Sequence, residues 1–150
     1  MRRGKLLLAI DQFETGQAAA DFTIGLTAAT GAEVQVIHVR EVPASLRIPP
    51  LETIADARVL VDETVQRMQR AGIHAEGEVC SDRETHVAQR IVDEASQRGC
   101  DAIVLGSQRR RGLGSLLGNG IRQRVLKRSS LPVILAPPAL TTRARSLAGL

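Results

Sequence analysis

Residues 101–136 read DAIVLGSQRRRGLGSLLGNGIRQRVLKRSSLPVILA. Two short apolar runs, DAIVL at 101–105 and PVILA at 132–136, frame a loop rich in glycine and arginine and then a short amphipathic stretch. Runs of four to six aliphatic residues bounded by turn formers predict strands buried on both faces, as in a parallel sheet. Between them, Ile121, Val125 and Leu126 recur at helical spacing, so the loop to Gly120 is expected to lead into a helix with those three residues inward. Strand, crossover helix and strand make a βαβ unit, whose connection is right-handed.

The same alternation extends back toward the N-terminus. Ser81-Asp82-Arg83-Glu84 has the form of a capping box, in which the serine hydroxyl and glutamate carboxylate satisfy free amides at a helix start. The helix it opens carries Val87, Ile91 and Ala95 on one stripe and stops at Gly99. Before it, 73–80 alternates weakly and predicts a strand. Leu51–Ala71 predicts a helix with Ile54, Ala57, Val61, Val65 and Met68 on one face, ended by Gly72. The stretch 40–50 contains Pro43, Pro49 and Pro50 and reads as a connecting loop. EVQVIHV at 33–39 predicts a strand, and Ala18, Ala19, Phe22, Leu26 and Ala29 mark a helix over 15–30 with Gly31 at its stop. KLLLAI at 5–10, ended by Asp11, predicts the first strand. Strands alternating with helices give a single α/β domain over 1–138, a parallel sheet covered on both faces, with 139–150 as a loose tail.

Composition bounds the function. Of 150 residues, 43% are hydrophobic and 24% charged, ordinary for a globular chain with one core. There is no Trp or Tyr, and Phe13 and Phe22 are the only phenyl rings, which argues against single-stranded nucleic-acid binding by aromatic stacking. No apolar run is long enough to span a bilayer. Cys80 and Cys100 stand far apart, as structural thiols of a reduced, cytoplasmic protein would. His38, His74 and His86 are isolated, and no pair of histidines or cysteines has metal-ligand spacing. His38, inside a strand, reads as a core or surface side chain. No nucleophile stands beside a base in a known pattern, so no enzymatic activity is predicted.

In such a sheet, ligands sit outside the carboxyl ends of the strands where the strand order reverses. Those ends are Asp11, Val39, Cys80 and Gly106. The segment 106–128 adds five glycines and seven basic residues with no acidic one. Glycines let backbone amides approach an anion, a helix start aims more amides at it, and arginines add charge. A small phosphorylated ligand is the chemistry this segment suits. A solvated basic loop is the alternative reading of the same residues.

The element order, Asp11 at the end of the first strand, the loop after the fourth and the closing SSLPVILAP resemble the universal stress protein family over about 5–137. That resemblance implies a Rossmann-like five-stranded parallel sheet of order 3-2-1-4-5, dimerisation along the last strand, and in many members ATP held by a Gly-x2-Gly-x9-Gly-Ser/Thr motif. Carried over without a gap, the motif's positions fall on Gly106, Arg109, Asn119 and Gly120. A one-residue slip would put the late glycine on Gly118 and the small polar residue on Asn119. Arg109 replaces a glycine, and Asn119-Gly120 replaces Gly-Ser/Thr as the cap of the following helix. Arg109 either adds a contact to phosphate by swinging outward, the preferred reading, or fills the phosphate site. Asp11, Val39, Gly106, Arg109, Gly112, Asn119, Gly120 and Ile121 are thus the implied site residues, with ATP or another adenine nucleotide, and Mg2+ alongside ATP, as implied cofactors. The implied function is a cytoplasmic stress-response module, dimeric, with a protein partner the sequence does not name. The alternatives are a nucleotide-independent scaffold, a weak ATPase and a basic-loop nucleic-acid binder.

Overall fold

A computed structural model describes residues 3–11, 14–106 and 113–137, with backbone only at 14–16 and 113–119. The chain runs β1 (Lys5–Ala9), α1 (Glu14–Thr30), β2 (Glu33–Val42), α2 (Ile54–Arg70), β3 (Ala75–Arg83), a short 3-10 turn (Glu84–His86), α3 (Val87–Gln97), β4 (Ala102–Gly106), α4 (Leu113–Arg128) and β5 (Val133–Ala136). All neighbouring strands are parallel, in the order β3-β2-β1-β4-β5 expected from the sequence.

Side-chain alternation along the strands divides the core into two layers. Leu6, Leu8 and Ile10 of the first strand segment join Val34, Val36 and Val104 beneath α1 and α2, where Ala19, Ala20, Val61 and Met68 meet them. Leu7, Ile37 and Ile103 point the other way, onto Val87, Ile91 and Ala95 of α3 and Val125 of α4. Both faces of the sheet are therefore covered, and the strands are aliphatic throughout. Gly31, Gly72 and Gly99 follow the first three helices with φ of 70°, 83° and 67°, a left-handed turn that only glycine takes without strain.

Several boundaries differ from those the sequence predicts. Ser81 lies inside β3, which runs on to Arg83, so no capping box forms at Ser81–Glu84. Neither the turn nor α3 has a side-chain cap at its start. The pairing of Arg40, Glu41 and Val42 with Ser81, Asp82 and Arg83 extends both strands and keeps Ser81 in extended backbone within the sheet. The capping box present is on α2, where the Thr53 hydroxyl accepts from the Asp56 amide at 3.0 Å and the Asp56 carboxylate accepts from the Thr53 amide at 3.4 Å. On α1 the buried stripe is rotated by one residue: Ala19, Ala20, Thr23 and Thr27 face the sheet. The two threonines reach the core because their hydroxyls donate back to the carbonyls of Ala19 at 2.7 Å and Thr23 at 2.9 Å, leaving methyls to pack. Helix α4 begins at Leu113, well before Ile121, in spite of glycines 114, 118 and 120. Each costs about 1 kcal/mol of helix propensity relative to alanine, and tertiary docking overrides it. Val125 is fully buried as read, Ile121 is half-buried, and Leu126 is exposed. The segment read as a tail, 139–150, lies outside the described residues.

Candidate functional site

The sheet order reverses between β1 and β4, whose carboxyl ends leave in opposite directions, one to α1 and the other to α4. Such a divergence opens a crevice that no strand can fill. Ala9 pairs with Leu105, which brings Ile10 and Asp11 beside Gly106. The Ile10 amide donates to the Ile37 carbonyl at 2.9 Å, so the exit of β1 is fixed to β2 beyond its regular pairing. Asp11 and Gly106 are both half-buried at this rim.

From α4, the Arg122 guanidinium donates to the Gly106 carbonyl at 3.4 Å, placing a positive charge at the exit of β4. Arg122 was among the basic residues of the loop-and-helix segment, yet the motif gave no reason to select it. Gly120 and Ile121, half-buried, precede it on the same helix. Among the described residues, a methyl group on Gly120 would meet no atom within 4 Å outside its own helix backbone. Asn119 and Gly120 lie within α4 and not at its start, so the helix-cap role inferred for them is corrected. Arg109 and Gly112 lie outside the described residues, as does Phe13.

Val39 does not end its strand. It pairs with Cys80, is buried, and β2 continues to Val42 before Pro43 removes the next amide. It therefore contributes backbone next to the crevice from within the sheet. One strand position earlier, His38 is buried and bonded at both ring nitrogens: Nδ1 to the Ile10 carbonyl at 2.7 Å, Nε2 to the Glu52 carboxylate. The Arg40 guanidinium donates to the Glu52 carbonyl at 3.3 Å and to the Ser81 hydroxyl at 3.2 Å. Burial pushes the Glu41 carboxyl up, Glu84 and Glu52 add to the effect, and His38 opposes it. Sequence reasoning missed this cluster, although a histidine within the apolar run EVQVIHV was its visible sign.

Among the described residues, the crevice offers a carboxylate at Asp11, a guanidinium at Arg122, and backbone groups of Ile10, Val39, Gly106 and Gly120. Arginine and open backbone can hold an anion, and a half-buried carboxylate can accept from hydroxyls or neutralise a cation. Among the described residues, no three histidine, cysteine or acidic side chains converge on a metal-holding arrangement, and no helix is long and apolar enough to cross a membrane. Cys80 and Cys100 are free and buried.

The domain is a doubly wound α/β fold whose strand order reverses between β1 and β4. The sequence matches the universal stress protein family over residues 2–137, and the chain belongs to that family. Solved structures agree in fold. A universal stress family protein from Burkholderia pseudomallei superposes with a TM-score of 0.72 at 23% identity, over 91% of this chain and 96% of that one. A universal stress protein from Archaeoglobus fulgidus in complex with dAMP gives 0.67 at 21% identity, over 90% and 98%. A universal stress protein in complex with cAMP gives 0.70 at 16% identity, over 93% and 100%. No protein of curated function matches the sequence at a significant level.

Proposed function

We propose that this protein is a stress-response module that binds an adenine nucleotide in the crevice between β1 and β4 and signals through a partner rather than by catalysis. The observation that carries the reading is the placement of Asp11, Gly106 and Arg122 around one strand-order reversal, with Gly120 open beside them. Two structural relatives hold dAMP and cAMP, which makes the adenine nucleotide the ligand class to test first. With ATP, Arg122 and the loop arginines would face the phosphates, Asp11 would lie toward the ribose or a Mg2+ ion, and the Val39 backbone toward the base. The protein would act in the cytoplasm as a homodimer joined along β5. Titration calorimetry with ATP and Mg2+ tests the proposal: saturable binding near one nucleotide per chain supports it, and heats no larger than dilution contradict it.

A second reading, a partner-binding scaffold that needs no nucleotide, is favoured by the segment between β2 and α2. Leu46, Ile48 and Leu51 stand exposed there in close succession, an apolar surface suited to another protein. The same calorimetry separates the two readings.

A further inference from the structure

His38 is a buried histidine with no role in the reading above, and both of its ring nitrogens meet oxygen. The partner of Nδ1 is the Ile10 carbonyl, which can only accept, so Nδ1 carries a hydrogen and donates. The partner of Nε2 is the carboxylate of Glu52, whose side chain is 10% exposed. With Nδ1 protonated, a neutral imidazole leaves Nε2 as an acceptor facing an acceptor. The contact closes only if one further proton lies between the two groups, on Nε2 or on the carboxyl.

The placement gives this proton a mechanical meaning. Ile10 is the last core residue before Asp11 at the crevice. Glu52 belongs to the connection between β2 and α2 and immediately precedes the Thr53 cap of α2. His38 therefore ties three pieces together: the exit of β1, the strand β2, and the start of α2. Among the described residues, the other charged groups near it are Arg40 and Glu41 on β2, Asp11 after the bonded carbonyl, and Glu84 on the turn after β3, which acts on Glu41. Arg40 holds the Glu52 backbone and leaves the carboxylate to the imidazole.

We infer that His38 and Glu52 form a proton-holding clasp that fastens the start of α2 to the exit of β1, making His38 a positioning residue for the crevice whose grip depends on pH. The inference is independent of which ligand the crevice takes. Its sign follows from proton counting. The closed pair holds one proton more than a neutral imidazole and an ionised carboxylate, the forms these side chains take in an unfolded chain above about pH 6.5. Raising pH above that value therefore weakens the closed form, by up to about tenfold in its equilibrium per pH unit for one proton.

Glu52→Gln tests it, because a carboxamide can donate to a neutral Nε2 and keep the clasp closed with no extra proton. Chemical denaturation of both proteins across neutral to mildly alkaline pH cancels the contributions of groups that Glu52 does not touch, and leaves Glu41, which Glu52 raises, as the other group the substitution moves. The expected result is a folding equilibrium that falls with pH in the wild type relative to Glu52→Gln, approaching tenfold per unit. Nitrogen NMR of histidine-labelled wild-type protein, with the Glu52 carboxyl carbon, supplies the second measurement and needs no variant. It is expected to find Nδ1 protonated and one proton shared by Nε2 and Glu52. Parallel pH profiles in the two proteins would overturn the clasp, as would an unprotonated Nε2 beside an ionised Glu52.

Discussion

Gly77 on β3 lies directly beneath Val61 on α2, so close that a methyl group on Gly77 would overlap the Val61 Cγ1 and, beside it, the Val65 Cγ2. Both valines are β-branched and stiff, so neither can swing away cheaply. This contact sets how closely α2 approaches the edge of the sheet, and with it the position of Thr53 and Glu52 at the helix start.

Gly77→Ala is accordingly expected to destabilise the fold by about 1–3 kcal/mol, the scale of overpacking a filled core. Urea denaturation reads this directly, and an unchanged midpoint would show that α2 is free to shift outward.

The two thiols predict a second effect. Burial pushes the Cys80 thiol up, Glu94 adds to it at 3.8 Å from the sulfur, and Arg90 opposes it. Burial likewise pushes up Cys100, against Lys5 and Arg98. A raised thiol stays protonated in the native state while the unfolded chain has already lost its proton, so stability is full below the ordinary thiol value of about 8.5 and declines as pH rises past it. Native Cys80 and Cys100 should also resist iodoacetamide far longer than in the denatured protein. Mass spectrometry after timed alkylation checks this, and rapid native labelling of Cys80 would contradict it.

Strand β5 pairs with β4 alone among the described residues, and Leu135 on it is exposed. An apolar edge strand with unpaired amides invites a two-fold copy of itself. With the dimer proposed along β5, Leu135→Glu is expected to move sedimentation at micromolar concentration from dimer to monomer. A wild-type protein that sediments as a monomer would remove the edge as an interface.

The strands and the helix stops were legible in the sequence because they follow from simple physics. Aliphatic runs such as KLLLAI can only be buried, and Gly31 and Gly99 fill left-handed positions that other residues resist. Part of the core and the site were less legible, for reasons attached to particular residues. Thr23 and Thr27 looked polar, and only their bonds to the preceding turn let them join the core. The glycines at 114, 118 and 120 argued for a loop, and the helix formed through them. The partnership of His38 with Ile10 and Glu52 joins residues 28 and 14 positions apart, a separation no local pattern encodes. Arg122 is one of many arginines until α4 is folded onto the exit of β4.

The central claim, that an adenine nucleotide binds where β1 and β4 part, is tested most directly by mapping amide NMR shifts during an ATP–Mg2+ titration. The account predicts saturable changes centred on Asp11, Val39, Gly106, Gly120 and Ile121, with little effect at the opposite ends of the strands around Gly31 and His74. Changes confined to those opposite ends, or no saturable change at the crevice, would contradict it.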